Sequence, residues 1–308
     1  MKFSKRILIT SLTLVLMVVA LGVGVFAWFT MNTKTSASGL EGTAEAGKGG
    51  FYISLNGTDW SDTVSLTSVD SSFSVFSDLT TKTGDLAKLV DLEDDDANDA
   101  DYIEFSLYFL GGSDNKNIYI TGLTFENTAD TSWIAEDDVD AGTREVEKGD
   151  KMVSNLSNAI RISIQDANSP SSILIFEKAA DTPNFDDSGG TTKTFYNTIG
   201  FEDDGGNNFA VNYYNTIMAP KSVNLSDAPN RTDNVVEEND PLTYKQVAVL
   251  SETVADGTTG DGHGFDPSFT NYGEIIIRVW VEGWDQEAFN AVLNGTIKIN
   301  FQFDLIQD

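Results

Sequence analysis

Thr296-Ile-Lys-Ile-Asn-Phe-Gln-Phe-Asp304 decides the fold. Ile297, Ile299, Phe301 and Phe303 fall on one side of this run. Lys298, Asn300 and Gln302 fall on the other. A period of two is the repeat of a strand buried on one face. Just before it, Glu274-Ile-Ile-Ile-Arg-Val-Trp-Val-Glu282 is the most β-prone run in the chain. It is too short to cross a membrane. Between the two, Asp285 is placed to cap a short helix through Leu293. Ala288, Phe289, Val292 and Leu293 share its inner face, and Asn294-Gly295 ends it.

The same pattern recurs upstream. Tyr102 to Leu110 alternates, with Ile103, Phe105, Leu107 and Phe109 in phase. Gly111-Gly112 leads to Asn117–Thr121, expected to pair with it and to continue through Leu123 and Phe125. Ala159–Gln165 puts Ile160, Ile162 and Ile164 in phase. Its expected partner is Ser172–Phe176, across a turn at Asn168-Ser169-Pro170. Phe51–Leu55 reads as a strand closed by Asn56-Gly57, with Trp60–Leu66 returning antiparallel to it. Gly84–Leu92 reads as a short helical turn, with Leu86, Leu89 and Val90 on one side. Leu242–Leu250 is apolar enough for a core strand. Residues 181–241 read as a loop-rich insertion, with small strands at Thr194–Ile199 and Phe209–Tyr214. Many short alternating strands joined by Gly, Asp and Asn turns predict an all-β domain over residues 51–308, a jelly roll or β-sandwich.

The 308 residues are ample for one such core. There is no cysteine, so the domain is held by its core, by metals or by subunit contacts. The formal charge is −29. A surface of that sign repels nucleic acid and anionic membranes, which excludes nucleic acid as a partner.

The start sets the compartment. Lys2, Lys5 and Arg6 precede an apolar run from Ile7 to Phe29. Basic end, apolar middle and Val25-Phe-Ala27 form the three parts of a signal peptide, with cleavage between Ala27 and Trp28. The run is also long enough for a helix across a bilayer. Two readings therefore stand: residues 1–27 as a cleaved signal, or an uncleaved apolar helix anchoring the chain through residues 7–29. Either puts the bulk of the chain outside the cell, secreted or at the surface. Residues 28–50 form an extended leading segment. It is β-prone but has too little apolar content for a core of its own.

The apolar run, Ala27-Trp-Phe-Thr30 and the Ser/Ala/Gly-rich segment behind it resemble the start of secreted fibre proteins of Gram-positive bacteria of the TasA/camelysin type. The ending, Ile277-Arg-Val-Trp-Val-Glu-Gly-Trp-Asp285 with its short helix and last strand, looks like that of Firmicutes envelope proteins with the same kind of start. The resemblance covers the first 50 residues and the strands at 102–125, 158–176 and 274–304. It implies a jelly roll processed by a dedicated signal peptidase, whose leading segment pairs as a donated strand with the next subunit. Trp28, Phe29, Met31 and Leu40 would then be assembly residues, and the partner would be a further copy in a homo-oligomer or filament.

The chemistry of catalysis is thin. The lone His263 lies in a Gly/Asp loop, a poor setting for an oriented base. The His-Glu-x-x-His pattern of zinc proteases is absent. The protease activity described for camelysin therefore does not carry over, and the chain reads as a non-enzyme. Carboxylate pairs carry little information among 48 acids. Calcium is the favoured small ligand, because Asp94, Asp96 and Asn98 have the alternate spacing of an oxygen-ligand loop. Position 6 of that loop is Asp99 instead of Gly and position 12 is Phe105 instead of Glu, so the EF-hand match fails. The Asp256–Asp266 loop and Asp137, Asp138 and Asp140 are weaker alternatives.

The expected role is a structural subunit of an extracellular fibre, biofilm matrix or cell-surface layer, assembling by β-strand addition. The alternative is a glycan-binding, calcium-dependent adhesin that takes cell-wall or matrix glycans. Trp60, Trp133, Trp280 and Trp284 are then the candidates for stacking on sugar rings. Trp280 alternates in phase with core residues and is read as core; Trp60 and Trp284 lie next to turns.

Overall fold

A computed structural model describes residues 40–46, 50–69, 78–82, 85–91, 102–112, 117–127, 131–134, 139–141, 144–146, 148–149, 151–154, 156–177, 184–186, 192–194, 235–237, 245–251, 269–285, 288 and 297–305. In chain order the strands begin with β1 (Leu40–Ala46), β2 (Phe51–Ser54), β3 (Thr63–Ser65), β4 (Asp78–Lys82), β5 (Asp85–Asp91), β6 (Ile103–Gly112) and β7 (Asn117–Asn127). Next are β8 (Thr131–Ile134), β9 (Val139–Ala141), β10 (Arg144–Val146), β11 (Lys151–Ser154), β12 (Ile160–Asp166) and β13 (Ile173–Glu177). Then follow β14 (Asn184–Asp186), β15 (Thr192–Thr194), β16 (Val235–Glu237), β17 (Lys245–Val249), β18 (Phe269–Glu282) and β19 (Ile297–Leu305). Helix is confined, among the described residues, to one turn at Leu156–Ala159 and a 3-10 turn at Leu66–Ser68.

The all-β reading holds, and two sheets face each other as in a sandwich. The first has the order β17-β7-β19-β1-β3. The second runs β16-β13-β12-β18, and β18 then pairs along its length with β6 and, at its end, with β4. β2 flanks β6 and β5 flanks β4. Strands β8, β11, β14 and β15 form a separate small sheet, and β9 and β10 a hairpin.

β19 shows why the pattern works. Its burial alternates strictly, with Ile297, Ile299, Phe301, Phe303 and Leu305 inside. From the facing sheet come Ile103, Leu107 and Phe109 of β6, and Ile275, Ile277, Val279 and Val281 of β18. Ile160, Ile162 and Ile164 of β12 join them. The Phe109 ring meets Phe303 edge-on at 5.2 Å and Phe51 at 6.1 Å. Burying each such side chain contributes about 1.5–3 kcal/mol.

Two single bridges close the sandwich sideways. Beside β3, Ser61 exchanges backbone hydrogen bonds with Ile53 of β2, at 2.8 and 3.0 Å. Beyond β17, Ser251 does the same with Tyr272 of β18, at 2.8 Å each. The two sheets are thus linked at each side by a single bridge.

Several expectations need correction. Residues 85–91 are a strand, not a helical turn, because β4 offers them an antiparallel partner; tertiary pairing outweighs the local apolar spacing. β6 and β7 are not partners. After Gly111-Gly112 the chain crosses to the other sheet, where β7 pairs with β19 and β17. Trp60–Leu66 returns to β2 only at Ser61 and then pairs with β1. By contrast the β12–β13 hairpin forms as read, Arg161 opposite Glu177 through Gln165 opposite Ile173. Of the expected insertion, β14, β15 and β16 are described; β15 covers 192–194, and the expected strand at 209–214 lies outside the described residues. Of the helix expected at 285–293, Asp285 and Ala288 are described, with the Ala288 amide donating to the Asp285 carbonyl at 3.1 Å.

Candidate functional site

The first site is the slot that β1 occupies. β1 runs parallel to β19 over seven residue pairs, Leu40 opposite Ile297 to Ala46 opposite Phe303. On its other side it meets β3 over three pairs, Thr43 to Glu45 against Ser65 to Thr63. Its inward residues are small: Ala44 is fully buried and Ala46 packs partly against the core. Backbone hydrogen bonds, each worth about 0.5–1.5 kcal/mol net, therefore hold it more than apolar burial does. On the outside the Thr43 hydroxyl donates to Asn300 Oδ1 at 3.5 Å. The connector to β2 reads Gly47-Lys48-Gly49-Gly50, and Gly50 has φ +67°, a left-handed conformation that suits glycine. Leu40, one of the four expected assembly residues, opens a strand in the chain's own sheet. Trp28, Phe29 and Met31 lie outside the described residues.

The second site is the outer face of the β13-β12-β18-β6 sheet, the side turned away from the core. The residues between the core positions of these strands are Arg161, Ser163 and Gln165 on β12, and Arg278, Trp280 and Glu282 on β18. All are buried. Trp280 is therefore buried as expected but out of phase. Ile277, Val279 and Val281 face the sandwich core, whereas Trp280 packs outside with Leu79, Leu89, Ile173 and Ile175.

Arg161 anchors this face. Its guanidinium lies 2.8 Å from Glu177 and 2.6 Å from Asp285, all three side chains nearly inaccessible. It also donates to the Ile160 carbonyl at 3.0 Å. Burial by itself disfavours the Arg161 charge, but Glu177, Asp285 and Glu282 outweigh that and hold its pKa above the ordinary value. Trp280 Nε1 donates to Glu282 at 3.2 Å. Farther along the face, Arg278 donates to Glu104 at 2.6 Å and to Gln165 at 2.9 Å. The arrangement ties β12, β13, β18 and the turn after β18 together. One guanidinium thus faces three buried carboxylates, Glu177, Asp285 and Glu282.

At the far end the face becomes aromatic. Tyr108 and Tyr272 lie with centroids 5.9 Å apart and planes 27° apart. Trp60 meets Tyr272 edge-on at 6.2 Å. The turn at 54–59 brings Trp60 there. Ser54 Oγ accepts from the Asn56 and Gly57 amides, and Asn56 Oδ1 accepts from those of Thr58 and Asp59. Gly57 sits at φ +73° beside the Tyr108 ring. Glu274 accepts from Ser106 Oγ at 2.7 Å. Burial, then the charges of Glu274 and the presence of Tyr108, push the Tyr272 pKa up. Burial and Glu274 raise that of Tyr108 too, against the hydrogen bond from Ser106.

The remaining expected residues divide as follows. Ala27, Trp28, Asp94, Asp96, Asn98 and His263 lie outside the described residues, as do Asp137, Asp138 and the Asp256–Asp266 loop. Asp140 lies in β9 and Trp133 in β8. Trp60, Trp280 and Trp284 are buried, so none of these three offers a ring face for a sugar. Among the described residues no group of His, Cys, Asp and Glu is arranged to hold a metal ion, and no helix is long and apolar enough to cross a membrane. Residue patterns did not single out Arg161 or the tyrosine corner. The available signal was an arginine, Arg161 or Arg278, inside each of two strands rich in Ile and Val. No family model, curated protein or solved structure matches the chain.

Proposed function

We propose that this chain is a structural subunit of an extracellular fibre, matrix or surface layer, and that its subunits join by exchanging β1. The observation that carries the reading is the place of β1: a strand whose inward Ala44 and Ala46 are small, lying in a slot between β19 and β3. If β1 leaves, β19 presents unpaired backbone groups. The β1 of another copy can restore the same hydrogen bonds at little net cost. Gly50, just before β2, sits at φ +67°, a conformation open to glycine. The resemblance to TasA/camelysin-type jelly rolls and the signal-or-anchor pattern at the start of the sequence support the same reading. The charge of −29 keeps unassembled copies apart and makes assembly sensitive to salt.

The test compares two chains by negative-stain microscopy. One begins at Trp28. The other begins at Gly47 and is supplied with a peptide of residues 28–46. The first should form filaments. The second should be a folded complex of one chain and one peptide, without filaments. Filaments from the chain that begins at Gly47 would refute exchange through β1.

A further inference from the structure

Asn-Gly is a chemically labile dipeptide. With no side chain to hinder it, the glycine nitrogen attacks the asparagine carboxamide carbon, ammonia leaves, and a succinimide ring closes. Water then opens the ring to aspartate or isoaspartate. The dipeptide occurs twice in the sequence, at Asn56-Gly57 and Asn294-Gly295, and the first lies in the turn between β2 and β3. There the two reacting groups sit in different surroundings. Asn56 is exposed, whereas Gly57 is buried beside the Tyr108 ring and the Tyr272 hydroxyl.

The Gly57 amide donates to Ser54 Oγ at 3.0 Å, in a buried hydrogen bond. Ser54 Oγ also accepts from the Asn56 amide at 3.2 Å and donates to Asn56 Oδ1 at 2.9 Å. A hydroxyl has one donor and two acceptor sites, so Ser54 is saturated and takes no further proton. The leaving group is tied as well, because Asn56 Nδ2 donates to Asp59 Oδ2 at 2.7 Å. The Thr58 and Asp59 amides donate to Asn56 Oδ1 at 2.9 and 2.8 Å, which polarises the carboxamide in favour of attack. The nucleophile is what the fold withholds. Ring closure requires the Gly57 nitrogen to lose a proton that faces Ser54 instead of solvent base.

We propose that Asn56-Gly57 is a latent deamidation site, shielded while the turn is closed and modified when it opens. Its rate follows the open population of the turn. The change is one-way. An aspartate at position 56 puts a carboxylate where Nδ2 now meets Asp59, and the two charges repel. The turn carries Trp60 to Tyr272 and Ser61 to its bridge with Ile53, so the modified chain is loosened just before β3, the strand that flanks β1. The chemistry needs only water. The proposal does not depend on strand exchange, and either can fail alone.

The test is peptide mass spectrometry of the full chain after warm incubation in mildly alkaline buffer, with and without denaturing urea. Asn56 should deamidate at least about tenfold more slowly in the folded chain. Ser54→Ala removes the acceptor of the Gly57 amide and should speed the folded chain about threefold to tenfold. Circular dichroism shows whether that variant folds. If it does not, Asp59→Ala, at an exposed position, replaces it with the same expected direction. Asn56→Asp should lower the urea midpoint by about 0.5 M. Adding Asp59→Asn should recover it, because the pair is again one amide and one carboxylate. Equal rates in folded and unfolded chains, or a folded turn variant no faster than wild type, overturn the shielding. An Asn56→Asp midpoint equal to that of wild type overturns the one-way change.

Discussion

Arg161→Ala tests how much the outer face contributes to stability. The substitution leaves Glu177, Glu282 and Asp285 buried after removing the cation that faces them. Removing one partner of a buried ion pair costs about 3–5 kcal/mol, because the remaining charge has lost both water and its counter-ion. A further loss comes from the packing of the guanidinium stem against its neighbours. With a urea m-value of about 2 kcal/mol/M, the midpoint falls by about 1.5–2.5 M. The assay is urea unfolding followed by far-UV circular dichroism and by tryptophan fluorescence. Trp280 and Trp284 are both fully buried, and Trp280 donates to Glu282, so fluorescence reports the cluster directly. Arg161→Lys retains the charge but not the forked geometry and should fall between wild type and alanine. A midpoint for Arg161→Ala within about 0.5 M of wild type, a cost of about 1 kcal/mol, would show that the cluster does not hold β12, β13 and the turn after β18 together.

Three further outcomes follow from the same structure. Phe303→Ala removes a fully buried ring that meets Phe109 and stacks on Phe301, and should cost about 3–5 kcal/mol in chemical unfolding. Gly57→Ala forces a side chain into φ +73° although the space beside Tyr108 and Tyr272 admits it, so the cost is backbone strain of about 1–2 kcal/mol. Tyr272 holds its proton more tightly when folded than at the ordinary 10.0, so its contribution is complete below that pH and is lost as pH rises through the folded value. Stability should therefore decline above about pH 10, and Tyr272→Phe should make that decline shallower in pH-dependent unfolding.

The strands were legible where one face is apolar and the other polar. β19, β6 and the β12–β13 hairpin follow from alternation alone, because a slip by one residue would turn Phe303 or Ile162 to the wrong face. Pairing was less legible. β6 and β7 read as a hairpin, yet nothing local distinguishes a hairpin from a crossing between sheets. β18 misled in phase: both of its faces are buried, so alternation no longer tells Trp280 from Val279. β5 misled in type, since Leu86, Leu89 and Val90 fit a helical turn and only the pairing with β4 decides otherwise. The β1 slot was half visible. Composition showed a β-prone segment without a core; that Leu40–Ala46 lies parallel to the last strand is a contact between the two ends of the sequence, which local pattern does not contain. The tyrosine corner was not visible, because its residues come from β6, β18 and the turn before β3.

The most direct measurement of β1 exchange uses a chain that has no cysteine of its own. Thr43 and Asn300 are register partners with touching side chains, so Thr43→Cys with Asn300→Cys places one thiol on each side of the β1–β19 pair. Filaments of the double variant are oxidised and run on a denaturing gel without reductant. Exchange predicts a ladder of covalent multimers that collapses to monomer on reduction. A single band of internally crosslinked monomer from intact filaments would contradict it, because β1 would then have stayed in its own sheet.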